Sequence, residues 1–326
     1  MKRNVLRTAA LALLSVAALY ADEIRGPFAV RESDEGVLLL EGKTRVLFYQ
    51  RKPKSLAGEF ERAHYIHPLY GLDGEILTED FPRGHLHHRG VFWTWHQVSV
   101  GGKKIGDPWM AQDFRWDVRE AKTFSVDAGS IGLKTVVLWK SPQWVDPKGA
   151  QKPLVEETTR IRIHRAGDHA RKIDFEITLA ALEDDLRIGG SEDEKGYGGF
   201  SPRIWLPADV RFTGRGGVVK PEVTAVQAGP WLDVSGSLGA AGRTSGVAIL
   251  THPSLPVFPP PWILRDRASM QNAVYPGRAP VSLPRGKPLV LRYRLVVHRG
   301  DAAAAGIDRL QAEYETEALP RYGAAP

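Results

Sequence analysis

A chain of 326 residues, 43% hydrophobic and 25% charged, is long enough to bury one large core or two smaller ones and too apolar to be disordered. Its formal net charge of +6 comes from acids and bases interspersed along the sequence, without the clustered basic face of a nucleic-acid binder. Cysteine is absent, which excludes disulfides and a lipid-modified N-terminal cysteine and leaves burial as the source of stability.

The N-terminus, MKRNVLRTAALALLSVAALYADE, sets Lys2, Arg3 and Arg7 before an apolar run from about Thr8 to Leu19, followed by small residues. This is the three-part pattern of a secretory signal peptide, with cleavage after Ala18 or Ala21. The run falls short of the ~20 apolar residues that span a bilayer. Residues 1–21 are therefore predicted as a leader and residues 22–326 as one mature domain, periplasmic or secreted, with no membrane span after cleavage.

Strand patterns dominate from Gly36 onward. GVLLLEGKTRVLFYQ predicts two strands joined at Glu41-Gly42, and VFWTWHQVSVGGKK a strand running into a Gly-Gly turn. IGLKTVVLWK is a further apolar, β-branched run. Strict alternation puts Thr159, Ile161 and Ile163 on one face, and Ile173, Phe175, Ile177 and Leu179 likewise, with a hairpin across Ala166-Gly167-Asp168. Near the end, Leu291, Tyr293, Leu295 and Val297 oppose Arg292, Arg294 and His298. One helix is predicted, in DAAAAGIDRLQAEYETEAL, with Asp301 as N-cap and Ile307, Leu310 and Tyr314 on one stripe against the outside of a sheet. No repeat or polar linker divides the chain, and the fold class that follows is all-β, a large antiparallel sandwich with a short C-terminal helix.

The stretch from Tyr65 to His96 holds five of the ten histidines. In GHLHHRG, an extended backbone would project His85 and His87 to one side and His88 to the other, a pair able to engage one substrate or one metal ion, with His67 or Asp80 completing a set. Gly84 and Gly90 predict tight turns or close backbone approach. Trp93 and Trp95, two apart, suit either the core or a platform for a sugar ring. A second polar loop, GGSEDEKGYGGFSPR, offers Glu192, Asp193, Lys195 and Tyr197 for proton transfer, with Arg203 close behind. His252, after the apolar run SGVAIL, and Arg265, Arg267, Asn272 and Tyr275 are further polar groups suited to hydroxyls or a carboxylate.

HPLYGLDGEILTEDFPRGHLHHRGVFWTW, KGYGGFSPR, GVAILTHPSLPVFPPPWILRD and LRYRLVVHRGD together resemble the bacterial PmoA-like (DUF6807) family of unknown function, often labelled methane oxygenase PmoA, from about Arg31 to Asp301. The resemblance implies a secreted β-supersandwich similar to the galactose mutarotase-like superfamily, whose members bind or act on carbohydrates in a cleft on one sheet. It reaches fold and ligand class, and not individual residues.

The function expected from the whole is an exported, carbohydrate-active enzyme of lyase, hydrolase or epimerase type. His87, His88, Lys195 and Tyr197 are its predicted acid/base groups; His67, His85, Arg89, Trp93, Trp95, Glu192, Arg203, His252 and Arg265 are predicted to hold the sugar. No cofactor is required, and the metal alternative is a divalent ion on His85, His87 and His67. A non-catalytic carbohydrate-binding protein is the competing expectation.

Overall fold

Alternation of apolar and polar residues becomes long antiparallel strands. In the computed structural model, which describes residues 23–318, Gln151–His164 buries Val155, Glu157, Thr159, Ile161 and Ile163 on one face. Ala170–Ala181 buries Ile173, Phe175, Ile177 and Leu179 on the same side, in register from Val155 opposite Ala181 to Ile163 opposite Ile173. These cross-strand pairs form the centre of a nine-stranded sheet. Its spatial order is Arg115–Asp127, Ser130–Val145, Gln151–His164, Ala170–Ala181, Leu289–Arg299, Ser245–Thr251, Trp231–Gly236, Arg211–Gly214 and Gly217–Val218. The expected leader lies outside the described residues.

A second sheet of seven strands runs Glu23–Arg25, Phe28–Glu32, Gly36–Glu41, Thr44–Gln50, Tyr65–Leu69, Val91–Thr94 and Gly199–Pro202. The two sheets meet through aromatic side chains. Trp93 and Phe200 set their rings 6.0 and 5.0 Å from Phe175, and Phe200 stacks on Tyr293 at 4.5 Å. One continuous apolar core, with Leu39, Leu47, Ile66 and Val91 from one sheet and Ile161, Phe175 and Leu295 from the other, fills the space between them. The chain is thus an all-β, sandwich-like protein, as its patterning predicts.

The C-terminal helix starts later than the sequence suggests. It spans Ile307–Thr316, because Gly306 adopts φ +65° and interrupts the preceding turns. Asp301 caps one of those turns instead, accepting a hydrogen bond from the Ala304 amide at 2.9 Å. Ile307, Leu310 and Tyr314 form the expected stripe and pack on Trp231, Leu250 and Val296, on the outer face of the nine-stranded sheet.

The space between the sheets also holds a charged group. Glu157 is fully buried between the sheets, where its carboxylate accepts hydrogen bonds from His64 Nε2 (2.6 Å), Trp93 Nε1 (2.6 Å), Thr159 Oγ1 (2.7 Å) and Trp139 Nε1 (2.9 Å). His64 Nδ1 is bonded in turn to the Tyr49 hydroxyl at 2.8 Å. Burial pushes the Glu157 carboxyl up, but His64 and the hydrogen bonds from Thr159 and Trp93 outweigh it and hold the group below the usual carboxylate range.

Candidate functional site

Strand pairing brings two distant loops together. Thr94 pairs with Gly199 and Gln97 with Gly189, so both ends of the loop between Gly189 and Gly199 are pinned beside Trp95 and His96. The histidine loop feeds into the same Val91–Thr94 strand. A third segment joins them, the connection between Trp262–Ile263 and Asn272–Ala273.

The histidine loop is not extended. The His85 amide bonds to the Pro82 carbonyl at 3.0 Å and the His88 amide to the His85 carbonyl at 2.9 Å, which makes two successive turns. The expected split of His85 and His87 from His88 therefore does not occur. All three rings gather, with His85 stacked on His88 at 4.9 Å and His87 edge-on to His88 at 4.5 Å. Gly90 closes the loop at φ +49°, and a Cβ there would sit 1.9 Å from the Ile66 carbonyl oxygen.

The second loop is held by its own polar groups. Ser191 Oγ donates to Asp193 (2.7 Å) and accepts from the Tyr197 amide (3.1 Å), while Lys195 Nζ lies 3.0 Å from Asp193. Buried Asn272 clamps the loop's exit, accepting from the Gly198 amide at 3.2 Å and donating to the Phe200 carbonyl at 3.0 Å. Tyr197 then packs its ring against Trp109 at 4.8 Å and His96 at 5.0 Å.

Between these segments lies a cleft of about 290 Å³, lined by His85, His87, His88, Lys195, Tyr197 and Arg265 together with Met110, Ile263, Ser269 and Met270. Burial lowers the His87 pKa to about 4, assisted by His85, Arg62 and His96 and opposed by Asp107. His88 is held far lower by burial, His87 and Arg203, and His85 is lowered by burial and Arg203. Three neutral imidazoles thus face the cleft at pH 7, able to donate and accept hydrogen bonds but poor proton donors.

Burying neutral histidines has a sign in the pH dependence of stability. Below about pH 6.5 the unfolded chain takes up protons that folded His87 and His88 refuse, so stability falls as pH drops from about 6.5 toward 4. A His87→Asn/His88→Asn double variant is expected to lose on the order of 2 kcal/mol less over that interval than the parent, at about 1.4 kcal/mol per pKa unit discounted for partial exposure. Urea unfolding at pH 7, 5.5 and 4 measures it; parallel losses in the two proteins would show that these rings do not carry the dependence.

Other predicted site residues lie elsewhere. Trp93 and Trp95, 2% and 0% exposed, belong to the core, their indole N–H groups donated to Glu157 (2.6 Å) and the Tyr275 carbonyl (2.8 Å). They offer no platform to a sugar. Arg89 is fully buried and consumed by Asp80, the Tyr65 hydroxyl (2.6 Å) and the carbonyls of Lys54 and Phe60 (3.1 and 2.9 Å). Arg203 is buried behind the cleft, bonded to Glu79 at 2.8 Å and reaching His88 Nδ1 at 3.4 Å, so it orients an imidazole and does not line the cleft. His67 pairs with Thr78 Oγ1 at 3.0 Å, away from the other histidines. Glu192 is exposed, with Lys104 3.9 Å away. His252 lines a separate cavity of about 40 Å³ by the C-terminal helix, beside Arg292 and Tyr314. The trio His67, His85 and His87 is not assembled, and among the described residues no three His, Asp or Glu side chains are grouped to hold a metal ion.

The structure adds a dyad absent from the predicted set. His96 Nδ1 bonds to Asp107 Oδ2 at 2.9 Å, and Asp107 Oδ1 accepts the Met110 amide at 3.1 Å, fixing the carboxylate in a turn. The His96 ring stacks on Trp109 at 5.3 Å, and its Nε2 is buried without a partner. Asp-Pro in IGDPWM marks the turn in the sequence, but no local spacing reveals that it folds back onto His96.

A family model matches residues 36–312, that of a family of unknown function (DUF6807), and the chain belongs to that family. Comparison with the curated proteins finds no match.

Proposed function

We propose that this member of the DUF6807 family is an exported carbohydrate-active protein that binds a sugar between the His85–His88 loop and the Lys195–Tyr197 loop and acts on it by proton transfer. One observation carries the proposal: two polar loops more than a hundred positions apart converge on one cleft whose other walls include Met110, Ile263 and Met270. Hydroxylated rings are held by fixed donors and acceptors set against apolar surface, and this cleft supplies both. Tyr197 and Lys195 are the groups for proton transfer, while His85, His87 and His88, held neutral, hydrogen-bond the hydroxyls. The sandwich-like fold agrees with a mutarotase-like origin as an analogy of architecture only.

A purely binding role is the second reading, favoured by the neutrality of His87 and His88, which makes them weak acids and bases near pH 7. Calorimetric titration with a panel of monosaccharides and short oligosaccharides, followed by NMR of the mixtures, tests both. At least one sugar is expected to bind and be converted, with affinity falling about tenfold in His87→Ala, as loss of one good hydrogen bond of about 1.4 kcal/mol predicts. Binding without conversion would support the second reading. Absence of binding, or binding indifferent to His87→Ala and Lys195→Ala, would overturn the site itself. The leader-like N-terminus supports export, which fractionation of cells expressing the full chain tests.

A further inference from the structure

The charge around the cleft is one-sided. Its lining contains His85, His87, His88, Lys195 and Arg265, and no aspartate or glutamate. Arg265 spends its guanidinium on backbone, donating to the carbonyls of Glu222 and Leu264 (both 2.6 Å) and Val223 (2.7 Å), and makes no ion pair among the described residues. Its position is fixed and its charge is not neutralised. Behind the histidines lies Arg62, only 1% exposed, stacked on Trp116 at 4.1 Å and on Phe92 at 5.2 Å. It donates to the Pro108 and Trp109 carbonyls (2.5 and 3.3 Å), makes no ion pair among the described residues although the Asp107 charge acts on it from farther off, and leaves Nε without a partner.

The nearby acids offset this only in part. Asp193 pairs with Lys195 at 3.0 Å and Glu79 with Arg203 at 2.8 Å, while Asp107, hydrogen-bonded by His96 and the Met110 amide, acts on Arg62 and His87 only from beyond ion-pair distance. Arg62 and Arg265 therefore remain as two cations with no ion-pair partner among the described residues, one buried and one fixed at the rim. A buried or clamped cation without a counter-ion is costly unless something else brings the opposite charge, and a cleft focuses such a field on its contents.

We infer that the sugar taken by this cleft carries an anionic group, a carboxylate or a phosphate, which the fixed cations and the imidazoles around it recognise. The inference rests on the sugar-binding reading above and names the substrate class of that same site. Neutral imidazole N–H groups hydrogen-bond an anion without competing for its charge, and fixed guanidinium and ammonium groups supply the attraction.

Calorimetric titration of the full chain with glucose, galactose, glucuronate, galacturonate and glucose 6-phosphate, at 20 and 300 mM salt, tests this. The acidic sugars are expected to bind at least tenfold more tightly than their neutral counterparts and to weaken several-fold at the higher salt. Lys195→Met and Arg265→Gln are each expected to lower that preference several-fold, weakening the acidic sugars more than the neutral ones. Lys195→Met guards against Arg265→Gln disturbing the loop that Arg265 ties down. Tighter binding of the uronates than of the sugar phosphate assigns the anion as a carboxylate, and the reverse assigns it as a phosphate. Neutral sugars binding as tightly as the acidic ones would overturn the inference and keep the sugar reading. If no sugar of either kind binds, both fall together.

Discussion

Replacing Glu157 by alanine is expected to lower the unfolding free energy by about 3–5 kcal/mol, the scale on which removal of one member of a buried, hydrogen-bonded charge network acts. The carboxylate is the shared acceptor for four donors, the ring nitrogens of His64, Trp93 and Trp139 and the Thr159 hydroxyl. None of these groups reaches water, so its loss leaves several desolvated N–H and O–H groups unpaired at once. A void forms beside them as well. Glu157→Gln should cost less, since it keeps one acceptor oxygen, but its amide N–H₂ would face donors where an oxygen stood. Urea unfolding at pH 7 measures both variants. A loss below 1 kcal/mol for Glu157→Ala would mean that the donors find other acceptors and that the network does not hold the sheets together. Trp93 links this core to function, because its strand leads out of the histidine loop and pairs with the strand that leaves the Tyr197 loop.

The sheets were legible because a half-buried strand writes its face into every second residue. Ile161, Ile163, Ile173, Phe175, Leu291 and Tyr293 all point where alternation puts them. Extending the same phase back two residues from Thr159 places Glu157 inside, so a charged residue in the inward phase was the available sign of the buried network. The site was legible in composition and not in geometry. A run rich in His, Gly and Pro announces a polar loop, but His85 and His88 stack only because two turns replace the extended backbone that period-two reasoning assumes. Trp93 and Trp95 follow the core because their N–H groups find buried acceptors, which sequence cannot locate. The His96–Asp107 pair is a contact across a turn, visible only after the chain folds.

Under the proposed proton transfer to a bound sugar, Tyr197→Phe is expected to reduce turnover by about 10²–10⁴-fold while changing affinity little, because it removes a proton and keeps the ring. The aromatic packing against Trp109 and His96, at 4.8 and 5.0 Å, is retained by phenylalanine, so the loop stays in place. Burial raises the Tyr197 phenol above its ordinary value, with Asp193 and Asp107 adding to it and Arg265 opposing, so near neutral pH the group is a hydrogen-bond donor, and the proposed proton transfer would use it as an acid. His96 is suited to position it. Its Nδ1 is bonded to Asp107, and its Nε2 lies buried without a partner in the aromatic wall against which Tyr197 packs. Asp107→Asn replaces the carboxylate that holds the His96 ring and should lower turnover about tenfold to a hundredfold while moving the pH profile of kcat/KM, a shift that a merely structural role would not produce. His87→Ala, by contrast, should act mainly on KM, because an imidazole with a pKa of about 4 holds substrate better than it moves protons near pH 7. The ordering of the three variants in kcat decides the assignment: Tyr197→Phe within a factor of three of the parent, with His87→Ala the more damaged, would move the chemistry from the tyrosine to the histidine loop.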